Sequence, residues 1–335
     1  MFSCRDIAIH SEDEIDRFLT LHRCFDSSHK ALRVALILAN NNLITDPYNI
    51  PSVFAAALPS PYRMIPVPRM PAIQLHRWGN SFFTIGGAET QGRRPTMEDV
   101  MTVAIDGTTL SAFLLDGHGG RHVAVAASQQ LMQRRMELSN AASVTQVCRE
   151  INASLEEAHH CGSTMVGIVM TTQSSLLMSI GDSNITLFNP DNTTHLRNKI
   201  HSPTLEQARI MKVCGCEGKY ACPCVSHGRV DGMLAVSRAF GDLALAPKVI
   251  VDPEVLTSSY TGTTLLCCDG VTDVLTHTEI ATILQNAYHV DPAITARILV
   301  ATAYRRGSED NISAMVIRIS QGFDYITSFL QRSPQ

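Results

Sequence analysis

Acidic residues recur in this sequence beside short apolar runs. The run at residues 111–115 stops at Asp116, and comparable runs adjoin Asp182, Asp269 and Asp310. A carboxylate at a strand end can face a cleft while its backbone stays anchored in a sheet. Several carboxylates held in this way provide the oxygen ligands that a hard divalent cation prefers. The pattern therefore predicts a metal site built from strand ends.

Each residue also has a simpler interpretation. An Asp-Gly pair most often marks a tight turn, and we interpret Asp106-Gly107, between two strand-like runs, as a hairpin turn. Asp182 could equally be a turn residue, Arg94 a surface ion-pair partner and His118 an ordinary hydrogen-bonded histidine. A lone pair such as Glu98-Asp99 is usually solvated charge. Because several acidic strand-end residues would have to coincide by accident, we favour the metal site.

Seven ordered motifs carry a resemblance to a known family. They are Arg-Pro-Thr-Met-Glu-Asp at 94–99, Asp-Gly-His-Gly-Gly at 116–120, Gly-Ser-Thr at 162–164, Gly-Asp-Ser at 181–183, Leu-Ala-Val-Ser-Arg-Ala-Phe-Gly-Asp at 234–242, Cys-Asp-Gly at 268–270 with Asp273, and Asp-Asn-Ile at 310–312. In order and spacing these motifs resemble the metal-dependent protein phosphatases of type 2C. The resemblance covers residues 80–322.

The resemblance implies an α+β fold, with a central sandwich of two antiparallel β-sheets flanked by helices in α-β-β-α layers. It also implies two Mn²⁺ or Mg²⁺ ions in a cleft at one edge of the sandwich, with a weaker third ion as a further option. The ligands carried over by motif are Glu98, Asp116 and the Gly117 carbonyl for one ion, Asp116, Asp269 and Asp310 for the other, and Asp182, Asp269 and Asp273 for the third.

The implied activity is hydrolysis of phosphoserine and phosphothreonine in proteins by a hydroxide that bridges the two ions. Two such ions lower the pKa of a shared water from about 16 toward 7. By the same resemblance, Asp99 would orient metal-bound water, Arg94 would clamp the substrate phosphate and His118 would protonate the leaving oxygen. Two alternatives stay open: a catalytically silent relative acting as a scaffold or phosphoprotein sensor, and a two-metal hydrolase of small phosphates.

The elements that must position these residues are strand-like runs joined by hairpin turns, with helical segments between them. This order predicts antiparallel sheets layered with helices, and one of the helices is expected over residues 203–213. The phosphatase domain is expected at residues 80–322. Residues 1–79 are expected to form an N-terminal extension, a helical hairpin followed by a Pro-rich linker at 47–71. Residues 323–335 would be a C-terminal tail.

The composition is that of an ordinary globular protein, since 45% of the 335 residues are hydrophobic and 17% are charged. A formal net charge of −4 provides no basic field to attract nucleic acid, and no apolar run is long enough to span a membrane. The acidic N-terminus resembles neither a secretory signal nor a transit peptide. We therefore expect a cytoplasmic or nuclear protein that acts on phosphoprotein substrates; the sequence predicts no oligomeric state.

Ten cysteines are scattered along the chain, a usage that suits reduced thiols inside a cell. Four of them form a Cys-x-Cys…Cys-x-Cys cluster in a flap at residues 214–229: Cys214, Cys216, Cys222 and Cys224. The pairs lack the two- to four-residue spacing usual for structural zinc, so we expect loop thiols and keep zinc as the alternative. Ahead of the flap the chain has Ile-His-Ser-Pro at 200–203, where the family commonly has Asp-His-Lys-Pro.

Overall fold

The computed structural model describes residues 71–171, 174–189, 191, 193–217, 222–259 and 262–319. The helices of this part of the chain are α1 (His122–Gln133), α2 (Ala141–Ala153), α3 (Gln207–Val213), α4 (Asp269–Thr272), α5 (His277–Asn286) and α6 (Pro292–Arg305). Short 3-10 helices lie at Arg135–Glu137 and Leu243–Leu245. The expected helical hairpin, the Pro-rich linker up to residue 70 and the tail at 323–335 lie outside the described residues.

The strands account for most of the remaining regular structure. They are β1 (Gln74–Gly79), β2 (Phe83–Thr90), β3 (Val100–Asp106), β4 (Thr109–Leu115), β5 (Gly117–His118), β6 (Gly162–Ser163), β7 (Met165–Met170), β8 (Ser175–Ile180), β9 (Asn184–Phe188), β10 (Thr194–Arg197), β11 (Val225–Ser226), β12 (Arg229–Val230), β13 (Phe240–Gly241), β14 (Glu254–Ser258), β15 (Thr263–Cys267) and β16 (Ile312–Ile319).

Two large antiparallel sheets form the sandwich. One has the strand order β1-β2-β16-β15-β9-β10 and the other β14-β8-β7-β4-β3. A small sheet, β13-β6-β5, and the hairpin β11-β12 lie beside them. Neighbouring strands in all four pair antiparallel, and the β3–β4 hairpin turns at Asp106-Gly107 as expected. The predicted α+β class with two antiparallel sheets is confirmed.

The alternation of side chains along each strand separates the layers of the core. In β4, Leu110 and Leu114 pack between the two sheets, whereas Phe113 and Leu115 pack beneath α1 and α2. The outer face of the other sheet, with Leu265, is covered by α5 and α6. Because a helical layer covers one face of each sheet and the other sheet covers the second face, β4 is buried on both faces from Leu110 to Leu115. The layers follow the predicted α-β-β-α order.

Local sequence fixes the helix starts. The Asn140 side chain caps α2 by accepting the N–H groups of Ala142 at 3.0 Å and Ser143 at 3.1 Å. Thr276 and Glu279 form a capping box at the start of α5.

Helix α3 begins at Gln207, so its expected start at Pro203 is wrong. The residue before it, Glu206, has non-helical backbone angles and accepts hydrogen bonds from Arg238 Nε and Ser237 Oγ, both at 2.9 Å. These bonds hold Glu206 against a distant segment. Burial opposes ionisation of Glu206, but the hydrogen bonds from Arg238 and Arg209 outweigh it and lower the pKa to about 2.

The sheet also begins earlier than expected. Strand β1 pairs with β2 along its whole length, from Gln74 opposite Glu89 to Gly79 opposite Thr84. Trp78 packs against the core between the sheets. Residues 74–79 therefore belong to the sandwich, although the sequence placed the domain start at residue 80.

The flap cysteines contradict the expectation of loop thiols. Their Sγ atoms all lie within 4.8 Å of one another, and the structure pairs them as Cys214–Cys224 and Cys216–Cys222 disulfides. The reason is tertiary, because the end of α3 and the start of β11 lie side by side over one apolar cluster.

Among the described residues, no helix combines the length and the apolar composition that a bilayer crossing requires.

Candidate metal and catalytic centre

The predicted acidic residues converge from both sheets. Asp116 follows β4 of the five-stranded sheet, whereas Asp269 follows β15 and Asp310 precedes β16 of the six-stranded sheet. Glu98 and Asp99 lie immediately before β3. Because these strands end at a common edge, carboxylates far apart in sequence share one electrostatic environment. Structure and sequence agree on this convergence.

The carboxylates repel one another. Burial, and then the charges of Asp99 and Asp269, raise the pKa of Asp116 well above its ordinary value. Burial and neighbouring carboxylates do the same for Asp269. Burial is also the main cause that raises the pKa of Asp99 to about 7 and that of Asp182 to about 6. An anionic cluster of this kind is costly without compensating cations.

Unpartnered oxygen atoms within the cluster fit divalent cations. Asp99 Oδ1 and Asp269 Oδ1 are buried and accept no hydrogen bond within the described part of the chain. Oxygen atoms of Asp99 and Asp116 also lie within 4.8 Å of each other and of Cys268 Sγ. Buried carboxylate oxygens are rarely left without a partner, and hard cations bind such oxygens. The donor set therefore suits Mg²⁺ or Mn²⁺.

Arg94 lies at the exposed rim of the cluster. Its Nη2 donates to Asp310 Oδ2 at 2.6 Å. Although burial lowers the pKa of Arg94, the charges of Asp310, Asp269 and Asp116 outweigh that effect and raise it. The fold itself thus places a guanidinium cation beside the acidic cluster.

Asn311 joins the Arg94 loop to the cluster. Its Oδ1 accepts the Glu98 backbone N–H at 2.8 Å, and its Nδ2 donates to the carbonyls of Gln91 and Thr96, both at 2.8 Å. Three loop positions are thus tied to the residue that follows Asp310. Sequence reasoning gave Asn311 no role, although its place in the Asp-Asn-Ile motif was a usable signal.

Hydrogen bonds also fix the backbone and side chains of the acidic residues. The Asp116 carbonyl accepts from Thr164 N at 2.9 Å and Ser163 Oγ at 3.1 Å. The Gly-Ser-Thr motif therefore fixes the backbone of Asp116. Asp99 Oδ2 accepts from Ser313 Oγ at 2.6 Å. Glu98 Oε2 accepts from Gly120 N at 3.1 Å. The site is held from several strands.

His118 is held by a residue that sequence reasoning missed. His118 Nε2 lies 2.6 Å from Asp242 Oδ2, and Asp242 is buried at the end of the Leu234–Asp242 motif. The small sheet β13-β6-β5 brings the two together. A Cβ on Gly162 of β6 would collide with the Asp242 carboxylate and would lie 2.7 Å from His118 Nε2. Only glycine fits under this pair.

Asp182 and Asp273 lie at the edge of the same cluster. Partial desolvation and then the Asp310 charge raise the pKa of Asp273, although part of this residue reaches solvent. The charge of Asp273 in turn adds to the raised pKa of Asp182. Next to Asp182, Gly181 N donates to the buried His201 Nδ1 at 3.1 Å. Burial lowers the pKa of His201 to about 4, so its imidazole is neutral near pH 7. This imidazole fixes the Gly181-Asp182 bend, although Ile200 and Ser202 on either side of it differ from the residues common in the family.

Comparison with known proteins is consistent with this geometry. A family model described as Protein phosphatase 2C matches residues 83–312. The chain is 31% identical over 261 residues to the "Probable protein phosphatase 2C 45" of Oryza sativa subsp. japonica, covering 72% of this chain and 90% of that protein. It is 30% identical over 256 residues to the "Probable protein phosphatase 2C 59" of the same organism, covering 71% and 76%.

Solved structures share the fold. A phosphatase from a pathogenic strain of Toxoplasma gondii superposes with a TM-score of 0.62 at 25% identity, covering 74% of this chain and 95% of that one. The serine-threonine phosphatase 2C from Toxoplasma gondii superposes with a TM-score of 0.57 at 20% identity, covering 74% and 99%, and supports the fold alone. The resemblance found in the sequence is confirmed: this chain belongs to the protein phosphatase 2C family.

Proposed function

We propose that this protein hydrolyses phosphoserine and phosphothreonine in protein substrates with the help of Mn²⁺ or Mg²⁺. The observation that carries the proposal is the convergence of Asp116, Asp269 and Asp310, with raised pKa values at the first two, beside the guanidinium of Arg94. Membership in the protein phosphatase 2C family supports the enzyme class. The metal requirement and the roles of individual residues are our own assignment.

The ligands that we assign come from the acidic cluster. Asp116 would be shared by two ions, with Glu98 and the Gly117 carbonyl on one side and Asp269 with Asp310 on the other. Asp182 and Asp273 would join Asp269 at a weaker third position. When bound, divalent ions neutralise the charge of a phosphate monoester and lower the pKa of water to near neutrality. Asp99, buried and anchored by Ser313, is placed to orient water at this edge.

Arg94 is assigned to the substrate phosphate. In the structure its guanidinium neutralises Asp310. A cation at Asp310 would take over that task and leave the guanidinium available for bidentate binding of a phosphate. Because the Arg94 side chain is 56% exposed, it reaches solvent from which a phosphorylated segment would approach.

His118 is assigned to the leaving oxygen. A serine or threonine alkoxide is a poor leaving group, and a positioned acid that donates a proton speeds its departure. The Asp242 carboxylate holds Nε2 of the imidazole at 2.6 Å. With Nε2–H donating to this carboxylate, Nδ1 of the imidazolium form is the ring nitrogen that would donate a proton toward the substrate.

The test is phosphate release from a phosphothreonine peptide by the purified full chain, with Mn²⁺ and with excess chelator. We expect turnover only with the metal, and its loss in Asp116→Ala. Asp106→Ala is the matched control, since Asp106 is an exposed turn carboxylate paired with Arg135. Undiminished release in chelator would contradict the metal mechanism.

Two other results would favour the alternatives. Binding of the phosphopeptide without turnover under any divalent metal would indicate a catalytically silent scaffold or sensor. Turnover of small phosphates with no activity on any phosphorylated peptide or protein would indicate a small-phosphate hydrolase.

A further inference from the structure

The flap holds a cluster of four cysteines that the phosphatase site does not use. The Sγ atoms of Cys214, Cys216, Cys222 and Cys224 all lie within 4.8 Å of one another. In a tetrahedral zinc site the Zn–S distance is about 2.3 Å, which places the sulfur atoms about 3.8 Å apart. The four sulfur atoms are therefore gathered closely enough for one ion to reach all of them once both S–S bonds are reduced.

The first pair owes its geometry to the end of α3. Gly215 adopts a left-handed φ of 63°, Gly215 N donates to the Lys212 carbonyl at 3.1 Å, and Cys216 N donates to the Met211 carbonyl at 3.0 Å. This is the hydrogen-bond pattern of a Schellman helix end. The reversal at Gly215 lets Cys214 and Cys216 present both sulfur atoms to one point, although only one residue separates them.

The second pair is set by the β11–β12 hairpin. Val225 N donates to the Cys222 carbonyl at 3.3 Å, and Asp231 N donates to the Cys224 carbonyl at 3.0 Å. These bonds fix the backbone on both sides of the pair. The Cys-x-Cys spacing, which argued against zinc in the sequence, is therefore compensated by two ordered turns.

The cysteines lie over a small core. Cys216 and Cys222 are 5% and 7% exposed, and Cys214 and Cys224 pack against a cluster of six buried side chains: Ile210, Val230, Val236, Ala239, Leu245 and Val249. A unit with so small a core commonly depends on a metal ion or covalent links for its stability. Ala239 connects this unit to Asp242, three residues further along the chain.

We propose that the four flap cysteines bind one Zn²⁺ ion as thiolates, each thiol releasing its proton on binding. The structure shows the same sulfur atoms oxidised as two disulfides, and a thiol reductant that supplies two electrons and two protons for each S–S bond frees the four thiols. Disulfides here would close loops with separations of only 10 and 6 residues, and short loops constrain the unfolded chain least. The other described cysteines, at 148, 161, 267 and 268, are free and buried, so disulfides are not used elsewhere in the described sandwich.

The test measures zinc in the full-length protein, purified anaerobically with a thiol reductant and without chelator, then incubated with Zn²⁺ and desalted. We expect about one tightly held zinc per chain from the four thiolates, lost in the double variant Cys216→Ser/Cys222→Ser. Asp116→Ala should keep this zinc, which separates the flap site from the carboxylate cluster. Cys148→Ala, which removes a buried free cysteine, should keep it as well.

Cobalt provides a second readout that does not depend on how the variants fold. Replacement of Zn²⁺ by Co²⁺ in the wild-type chain should give the strong visible and charge-transfer absorption of a tetrahedral thiolate site, which carboxylates do not produce. A reduced wild-type chain that takes up no zinc, or that keeps all four flap cysteines as disulfides in reductant, would overturn the proposal. Cobalt bound without thiolate absorption would overturn it too.

Discussion

His118 Nε2 lies 2.6 Å from Asp242 Oδ2, so a buried carboxylate more than a hundred residues away holds the imidazole that we assign to the leaving group. The two residues meet because β5 and β13 both pair with β6. Asp242 is therefore a positioning residue, one that acts through His118.

The first prediction concerns this pair. His118→Ala should lower turnover of a phosphothreonine peptide by about 10²- to 10⁴-fold and affect aryl phosphates much less, because phenolate leaves without help. Asp242→Asn should show the same preference with a smaller loss. Steady-state kinetics on both substrate types measures the ratio. Equal losses on both would remove His118 from the acid role.

The second prediction concerns Gly162, beneath the same pair. In Gly162→Ala the new methyl group would collide with the Asp242 carboxylate. The Phe240 carbonyl, 2.6 Å from the same methyl position, prevents the methyl group from moving aside, so Asp242 should be forced away from His118. We expect Gly162→Ala to have the same ratio of alkyl to aryl phosphate turnover as Asp242→Asn, together with reduced stability. Gly107→Ala is the control: Gly107 has a φ of 61° and no neighbouring atom within 4 Å of a Cβ, so it should lower Tm and leave the ratio unchanged. A normal ratio in Gly162→Ala would argue against the positioning role.

The third prediction concerns Asn311. Asn311→Ala removes the acceptor of Glu98 N and two hydrogen bonds to the Arg94 loop. Loss of residues that orient metal ligands typically weakens metal affinity by about 10- to 100-fold, so the Mn²⁺ concentration for half-maximal activity should rise by that order. Titration of activity with Mn²⁺ checks it. An unchanged titration would restrict Asn311 to a structural role.

The fourth prediction is a pH dependence of stability. The pKa of Asp99 is raised to about 7 and that of Asp182 to about 6, above unfolded values of about 4. Their protonated forms stabilise the metal-free fold fully below about pH 4, and this contribution is lost as pH rises through the folded pKa values. The Tm of the chelated protein should therefore fall toward pH 8.

Added Mn²⁺ replaces those protons, so the difference in Tm between Mn²⁺ and chelator should grow over the same pH range. Scanning calorimetry in both conditions measures it. Asp116→Asn should reduce the growth, since it removes a carboxylate from the cluster. A difference that stays constant or shrinks with rising pH would contradict the electrostatic account.

The fifth prediction concerns the N-terminal boundary. A chain that begins at Pro71 should keep metal-dependent hydrolysis of aryl phosphates. One that begins at Asn80 lacks β1, so the edge of β2 is exposed. It also lacks Leu75 and Trp78, which leaves the core surfaces that they cover open to solvent. It should therefore have a lower Tm or aggregate. Equal Tm values for these two chains would contradict the place of β1 in the sandwich. We further hypothesise that the N-terminal extension, expected at residues 1–79, docks on the phosphatase domain or on a partner. Docking on the phosphatase domain predicts a higher Tm for the full chain than for the Pro71 chain, whereas an extension without stable contacts predicts equal Tm values.

The sequence alone determined the acidic motifs and the antiparallel sheets layered with helices, because these depend on local patterns, and the family resemblance of the motifs implied the sandwich of two sheets. The short apolar run at 111–115, bounded by turn signals, favours a buried strand, and Asp116 at its end is then expected at a sheet edge. The β3–β4 hairpin followed from Asp106-Gly107 in the same way. These features need no knowledge of distant partners.

Tertiary structure decided the rest, because the outcome depended on which distant segments meet. Asp242 reaches His118 only through the β13-β6-β5 sheet, and β1 enters the sandwich by pairing with β2. Glu206 leaves the expected helix because Arg238 and Ser237 bind it. The flap cysteines converge because a helix end and a hairpin fold over one small core. The spacing of cysteines along the chain does not predict this proximity.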